Sequence, residues 1–197
     1  RSGCTGLFIG LESVNSSSLA HASKFHNTVG RYGEMMRKLH DHGVGVTGAF
    51  VFGFDQDDRT VFDRTLEFAL KFDLDCMTPA IFTPLPGTPV YEAMEKDGRI
   101  VDRDWAHYDY HHVVFEPRLM SRDELYEGFI RMMNAFYSYG SIVRRLGRSR
   151  TQLLMAVLLN LGYHKFYRRL LRELEDGEPA DAGESEAGPR GDAAPPA

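Results

Sequence analysis

The sequence has 197 residues, 43% of them hydrophobic, and a formal net charge of −5. That is enough apolar material for one domain with a buried core, and the charge and motifs give no indication of a nucleic-acid partner. The only two cysteines, Cys4 and Cys76, are too far apart to form a disulfide framework or a metal motif. We expect both to be small buried residues in a reducing, cytoplasmic protein.

Short apolar runs and amphipathic stretches alternate through the first hundred residues. Runs that end in polar or turn residues predict three buried strands, at 7–11, 44–54 and 77–82. Apolar residues at helical spacing predict four helices, over 17–23, 29–42, 60–72 and 90–97. Strands and helices that alternate with short loops form parallel sheets. The sequence therefore predicts an α/β fold, as an open sheet or as half of a (β/α) barrel.

Beyond Gly98 the pattern changes to an aromatic-rich linker followed by helices. Ser121 stands where a helix N-cap is expected, with Glu124 three residues later, which predicts a helix over 122–139. The stretch 141–172 contains eight basic residues and no acidic residue. We predict that it is helical.

The end of the sequence differs in composition from the rest. From Glu173 onward there are eight acidic residues and one basic residue among many Gly, Pro and Ala, which predicts a disordered acidic tail. Three segments are therefore expected, at 1–100, 101–172 and 173–197. Since Gly6 already begins a strand of a larger sheet, we expect the chain to be a piece of a longer protein.

Ligands of parallel α/β folds bind at the carboxyl ends of the strands. Glu12 leaves the first strand there and can accept hydrogen bonds from ribose hydroxyls or an amine; alternatively, it is a first-turn acid favoured by the next helix dipole. Lys24 could pair with a ligand carboxylate, although an ordinary solvated lysine is the better interpretation from the residue alone. The glycines between Gly48 and Gly53 could let backbone lie against a planar ligand such as adenine, although core packing explains most of that pattern.

The remaining residues give little sign of catalytic chemistry. The eight histidines have no zinc-binding spacing, and there is no phosphate-binding loop, nucleophile elbow or paired-carboxylate motif. The loop from Thr83 to Thr88, with two prolines and a glycine, either shapes a pocket wall or only joins a strand to a helix. We therefore predict neither a catalytic nor a metal-binding residue.

In order along the chain, these segments resemble radical S-adenosylmethionine enzymes of the class in which a cobalamin-binding domain precedes the radical domain. The stretches 6–27, 43–55 and 77–91 are similar to that family's fourth, fifth and sixth barrel strands, each with its succeeding segment. The aromatic segment from Trp105 to Tyr137 looks like the C-terminal extension of a subgroup. The resemblance implies the C-terminal half of a (β/α)6 partial TIM barrel, a mainly α-helical extension and a disordered tail.

The resemblance also implies a site for S-adenosylmethionine. Glu12 matches the strand residue that contacts the ribose, and Lys24 matches the basic residue that pairs with the methionine carboxylate. Ala49 replaces an acid that some relatives carry in the fifth strand. The implied cofactor-binding residues are Glu12, Ser13, Lys24, Gly53, Phe82 and Thr83.

One family motif is missing from the sequence. Radical enzymes hold a four-iron–four-sulfur (4Fe-4S) cluster on three thiolates of a C-x-x-x-C-x-x-C motif, which Cys4 and Cys76 cannot replace. We expect the chain alone to be inactive and the complete enzyme to cleave S-adenosylmethionine reductively for methyl transfer or rearrangement. The implied cofactors are S-adenosylmethionine, the 4Fe-4S cluster and cobalamin. The implied partners are an electron donor protein and a small-molecule or lipid-like substrate.

Other interpretations stay open at this point. The chain could be a non-catalytic α/β binding or interaction module, or part of another barrel enzyme with a nucleotide ligand. For 141–172, a helix packed on the barrel with a solvated basic face is favoured. The alternative is peripheral attachment to an anionic membrane, because the apolar run within it is too short to span a bilayer.

Overall fold

The computed structural model describes residues 3–21, 29–147 and 153–175. The strands are β1 (Gly6–Glu12), β2 (Gly45–Phe52) and β3 (Cys76–Ile81). The helices interleaved with them are α1 (Ser16–His21), α2 (Val29–Asp41), α3 (Thr60–Lys71) and α4 (Pro89–Lys96), and those after them are α5 (Arg122–Phe136), α6 (Tyr139–Leu146) and α7 (Leu153–Glu175). The strands pair in parallel in the order β1-β2-β3. The predicted parallel α/β fold is thus confirmed.

The helices of the extension differ from their predicted bounds. The helix predicted over 122–139 ends at Phe136, because Ser138 N-caps a new helix by accepting a hydrogen bond from the Ser141 backbone N at 3.4 Å. Within its described residues, the stretch predicted to be helical contains most of α6 and nearly all of α7. Helix α7 continues to Glu175, past the predicted start of the acidic tail, and residues 176–197 lie outside the described ranges.

The two faces of the sheet differ in burial. Alternate residues of β2 are buried, and the ring of Phe50 lies 6.3 Å from that of Phe68 while Phe52 stacks on Phe62 at 5.5 Å. The residues between them point to the opposite face, as the period of a strand requires, and are only half-buried. On that face a row of small residues crosses the three strands in register: Gly10, Ala49 and Thr78. We refer to this side as the open face.

Strand β1 forms an exposed edge of the described sheet. Leu7 is 40% exposed and Phe8 is 67% exposed, whereas Leu11 is fully buried. The prediction of a buried strand at 7–11 is therefore correct for its last residue and wrong for Leu7, Phe8 and Gly10. The reason is that, within the residues the structure describes, only β2 pairs with β1.

The outer edge of β3 is covered by the aromatic extension. The Tyr137 hydroxyl donates to the Met77 carbonyl at 2.7 Å and accepts from the Met77 backbone N at 3.1 Å. The Ile81 backbone N donates to the Tyr110 carbonyl at 2.7 Å. Pro79, between them, has no N–H to leave unpaired, which is why proline is tolerated at a sheet edge. These contacts protect an edge that would otherwise be available for pairing with another strand.

The two cysteines lie in different environments. Cys76 is buried, as predicted, with its thiol 3.2 Å from the Tyr137 hydroxyl, and burial raises the pKa of that thiol. Cys4 is exposed, which corrects the prediction that it would be buried. It precedes β1, the exposed edge strand of the described sheet.

Arg145 is 1% exposed and joins three helices to the start of β3. Its guanidinium lies 3.8 Å from the Phe136 ring centroid. Burial lowers the pKa of Arg145 to about 10, so the group is still a cation at neutral pH. Its N–H groups donate at 2.8–3.1 Å to the Ser141 hydroxyl, the Asn160 side-chain oxygen and the carbonyls of Leu74, Asp75 and Phe136.

This contact corrects the interpretation of 141–172 as having a wholly solvated basic face. Arg145 is a core residue, although its neighbour Arg144 and the α7 residues Arg168 and Arg172 are exposed as expected. Arginine suits the buried position because its planar guanidinium can donate hydrogen bonds to several carbonyls at once.

We predict that Arg145→Lys lowers the free energy of unfolding by about 2–4 kcal/mol, because a lysine cannot reach all these acceptors and leaves buried carbonyls unpaired. Urea denaturation followed by circular dichroism measures the change. The control is Arg144→Lys at the exposed neighbouring position, for which we expect a change below about 0.5 kcal/mol. Equal losses in the two variants would contradict the structural role of Arg145.

A second polar contact fixes the start of β3. The Asp75 carboxylate accepts from the Val46 backbone N at 2.8 Å and from His40 Nε2 at 2.9 Å. The hydrogen bond with Asp75 raises the pKa of His40 above its ordinary value. The charged imidazole is thus favoured in the folded state.

The His40 contact predicts a pH-dependent stability. Because the pKa of His40 is higher in the folded chain, its contribution is complete below the unfolded pKa of about 6.5 and is lost as the pH rises through the folded pKa. The difference in unfolding free energy between wild type and His40→Gln should therefore shrink from pH 6 to pH 9. Urea denaturation at several pH values measures it, and a constant difference would refute the assignment.

Candidate functional site

The carboxyl ends of the three parallel strands lie at one edge of the sheet. Five of the six predicted cofactor-binding residues lie at or just beyond these ends: Glu12, Ser13, Gly53, Phe82 and Thr83. The sixth, Lys24, lies outside the described residues. The structure thus brings the five together at the edge where such folds bind ligands. Their contact with a cofactor stays a prediction.

Glu12 ends β1 in a conformation that is uncommon for a residue with a side chain. Its φ is 65°, in the left-handed region, and the pairing of β1 with β2 shifts register between Gly10 and Glu12. Such irregularities redirect a side chain at a strand end. A Cβ built on Gly10 would lie 2.7 Å from Glu12 Oε1. The carboxylate therefore lies over Gly10, on the open face of the sheet.

Tyr32 of α2 supports the residue before Glu12. Its buried hydroxyl donates to the Leu11 carbonyl at 2.8 Å. Burial, and then the negative charge of Glu12, raise the pKa of Tyr32 to about 12. The phenol therefore stays protonated and keeps donating at neutral pH. In the sequence Tyr32 stands out only as an apolar position of a helix, because apolar spacing does not reveal a hydrogen bond to a distant carbonyl.

Asp57 ties helix α1, which follows β1, to the loop that follows β2. Its Oδ1 accepts from the Ser18 hydroxyl at 2.7 Å, and its Oδ2 accepts from the backbone N of Gly53 at 3.2 Å and of Phe54 at 3.1 Å. Asp57 is 1% exposed, and burial raises its pKa although these hydrogen bonds oppose the rise. These hydrogen bonds therefore fix the position of α1 relative to the loop that carries Gly53.

A further hydrogen bond joins the loop after β1 to the loop after β2. It runs from Asn15 Nδ2 to the Gln56 carbonyl at 3.0 Å. The sequence pattern at 55–58 predicts only a turn and does not reveal the role of Asp57. The available signal was its position shortly after a strand-ending glycine, because Asp side chains often bind nearby backbone N–H groups in such turns.

Both the backbone conformation and the packing at position 53 require a glycine. Its φ is 98°, and a Cβ at this position would lie 2.9 Å from Leu125 Cδ2 and 3.2 Å from Phe115 Cζ. Any larger residue would therefore push the extension away from the end of β2. Framing of a ligand by the Gly53 backbone stays a prediction.

The two predicted hydroxyl residues make local hydrogen bonds. Ser13 is 2% exposed, and its Oγ accepts from the Asn15 backbone N at 2.9 Å. Thr83 is also buried, and its hydroxyl donates to the Ile81 carbonyl at 3.1 Å. Both therefore shape the loops after their strands. Phe82 continues the pairing of β3, because its backbone N donates to the Phe52 carbonyl at 2.8 Å.

Asp55, another polar residue at a strand end, forms ion pairs with two arginines. Arg99 binds its two carboxylate oxygens at 2.7 and 3.2 Å, and Arg118 Nε donates at 2.8 Å. Burial of Asp55 favours its neutral form, but these hydrogen bonds outweigh burial and lower its pKa. Asp55 thus anchors the segment after α4.

The described residues do not fit an iron–sulfur cluster. Among residues 3–21, 29–147 and 153–175, no group of three or more His, Cys, Asp or Glu could hold a metal ion. Cys4 and Cys76 also lie before or at the amino ends of their strands, opposite the candidate site. Within the same ranges, no helix is long and apolar enough to cross a bilayer.

The chain has curated relatives, although no family model matches it. A bacteriochlorophyllide d C-12(1)-methyltransferase of Chlorobaculum tepidum is 33% identical over 88% of this chain and 37% of the relative. A bacteriochlorophyllide d C-8(2)-methyltransferase of the same organism is 30% identical over 59% and 27%, and a hopanoid C-2 methylase of Rhodopseudomonas palustris is 26% identical over 51% and 19%. The chain thus spans about a third or less of the length of these relatives.

The fold and the site define a parallel α/β protein with its candidate ligand site at the strand ends. The resemblance to radical S-adenosylmethionine enzymes of the cobalamin-domain class is confirmed, because these relatives are enzymes of that class. The electron donor, the substrate and the membrane contact through 141–172 stay predictions.

Proposed function

We propose that the protein containing this chain is a radical S-adenosylmethionine methyltransferase that acts on a large hydrophobic substrate. The observation that carries the proposal is the 33% identity, over 88% of the chain, with a bacteriochlorophyllide d methyltransferase. The hopanoid methylase among the relatives supports methyl transfer to an apolar molecule as the shared chemistry. The cofactors proposed for the complete enzyme are S-adenosylmethionine, a 4Fe-4S cluster and cobalamin.

Within this function, we assign the described strand ends to the nucleoside part of S-adenosylmethionine. The Glu12 carboxylate would accept hydrogen bonds from the ribose hydroxyls. This carboxylate lies over Gly10, and the small side chain of Ala49, next to Gly10 in the sheet, would leave room on the open face for a flat group. Lys24 is proposed for the methionine carboxylate on the sequence resemblance alone. Neither Cys4 nor Cys76 fits the cluster, so no reaction step is assigned to them.

The assignment of Glu12 predicts that Glu12→Gln in the complete protein weakens S-adenosylmethionine binding roughly 5- to 150-fold, because losing a charge-assisted hydrogen bond costs about 1–3 kcal/mol. Isothermal titration calorimetry measures the affinity. Glu67→Gln, at an exposed position of α3, is the matched control and should bind like wild type. Wild-type affinity in Glu12→Gln would show that the residue assignment is wrong.

We further propose that the sheet is part of a (β/α)6 barrel. Support comes from the open face, whose small residues are half-buried or exposed, and from the exposed edge at β1. Closure into a barrel would cover the inner face and pair the edge strand. Phe8, 67% exposed on that face, would then be enclosed.

The barrel predicts unequal effects when the same charge is introduced at two exposed positions. In the complete protein, Phe8→Asp should cost at least about 3 kcal/mol, because it places a charge in a packed interior. Val143→Asp on α6, at a side chain 72% exposed, should change stability by less than about 0.5 kcal/mol. Urea denaturation compares them. A Phe8→Asp variant as stable as Val143→Asp would mean that the open face stays open.

A further inference from the structure

A pocket of about 450 Å³ lies between the outer edge of β3 and helix α7. Thr78 and Pro79 of β3 and His111 of the linker form one wall. Helix α7 forms the other with leucine and aromatic side chains, among them Leu158, Tyr163 and Phe166. This volume is within the range of small-molecule sites, which are mostly apolar with few polar groups.

The mouth of the pocket is apolar and faces outward. Leu158 is 57% exposed, Leu159 is 46% exposed and Phe166 is 45% exposed, all on one flank of α7. Exposed apolar side chains gathered at a pocket mark binding surfaces rather than ordinary surface scatter. Because they stand at its rim, the pocket can receive one side of a molecule larger than itself.

His111 is the imidazole in this apolar wall. Its Nδ1 is buried and has no hydrogen-bond partner among the described residues. The rings of Phe129 and Phe166 lie 6.3 Å from the imidazole, and burial lowers the pKa of His111. The ring is therefore neutral at physiological pH. A neutral imidazole offers one donor and one acceptor and is a common metal ligand.

A basic groove adjoins the pocket. Gly162 and Phe166 line both cavities, so the two lie next to each other along α7. Among the residues that the structure describes, four bases and no acidic residue line the groove; the bases are Lys165, Arg168, Arg169 and Arg172. A carboxylate on a ligand seated in the pocket would be attracted to this side.

We propose that the pocket binds a metallated tetrapyrrole, a flat apolar macrocycle with carboxylate side groups, and that His111 coordinates its central metal. The proposal rests on the proposed function, because it names the substrate class for that reaction. The aromatic walls match a conjugated ring, the imidazole matches a metal centre, and the basic groove matches the carboxylates. Two relatives are named for action on bacteriochlorophyllide d, which supports the same ring class.

The test uses zinc protoporphyrin IX and the complete protein, without S-adenosylmethionine. Wild type should bind the probe with the red-shifted Soret band of a five-coordinate zinc centre. His111→Gln should abolish that shift and weaken binding at least about tenfold. Metal-free protoporphyrin IX should bind wild type and His111→Gln alike. An unchanged Soret shift in His111→Gln would overturn the coordination.

A substitution at the partly buried His111 could disturb folding, so the pocket is also tested with variants at exposed positions. Leu158→Asp should weaken zinc protoporphyrin binding at least about tenfold, because it places a charge against the ring. Val143→Asp, an exposed apolar position outside the pocket, is the control and should bind like wild type. Wild-type affinity in Leu158→Asp would overturn the pocket assignment.

Two further measurements separate the alternatives. If phosphatidylserine vesicles bind the protein through Leu158 while the porphyrin does not bind, the face is a membrane contact and the proposal fails. Binding of S-adenosylmethionine, measured by calorimetry, does not involve this pocket. Loss of porphyrin binding with intact cofactor binding refutes the pocket alone, whereas absence of cofactor binding refutes the proposed function.

Discussion

The buried guanidinium of Arg145 is the contact on which the arrangement of the extension depends. It binds carbonyls from the start of β3 and the end of α5, and side chains from α6 and α7. Asp75 extends the same network, because its carbonyl accepts from Arg145 while its carboxylate binds the Val46 backbone N. Since the network lies at the amino end of the sheet, it fixes the helices without occupying the carboxyl end, where parallel folds place their chemistry.

The position of α7 depends on these contacts and determines where the pocket lies. Asn160 links α7 to Arg145 and to the Asp75 carbonyl. Farther along the helix, Tyr163 and Tyr167 stack on Tyr137, whose hydroxyl binds both backbone groups of Met77. One side of α7 therefore packs against the edge of β3 and covers it. The flank beside it carries the exposed leucines, and the pocket opens there because the helix cannot rotate to bury them.

The sequence predicted the elements well because apolar spacing reports local periodicity. The strand ends at Glu12 and Thr83 came from that pattern, and the family resemblance came from the order of the segments. Arg145 could not be predicted in the core, because its carbonyl acceptors just before β3 lie 70 and 71 residues earlier. In sequence it is one of eight bases in a stretch without acids, and only the long-range fold distinguishes it from the exposed Arg144.

The backbone of Glu12 links stability to the candidate site. A left-handed conformation at a non-glycine residue costs about 1–3 kcal/mol and persists only where surrounding contacts impose it. Here Tyr32 holds the preceding carbonyl, and Asp57 binds the following helix, α1, through Ser18. Both contacts are buried, so their hydrogen bonds are not exchanged for water. The core of the sheet thereby keeps a carboxylate on the open face in a conformation that the isolated strand would not adopt, which is the rigidity that recognition of a ribose requires.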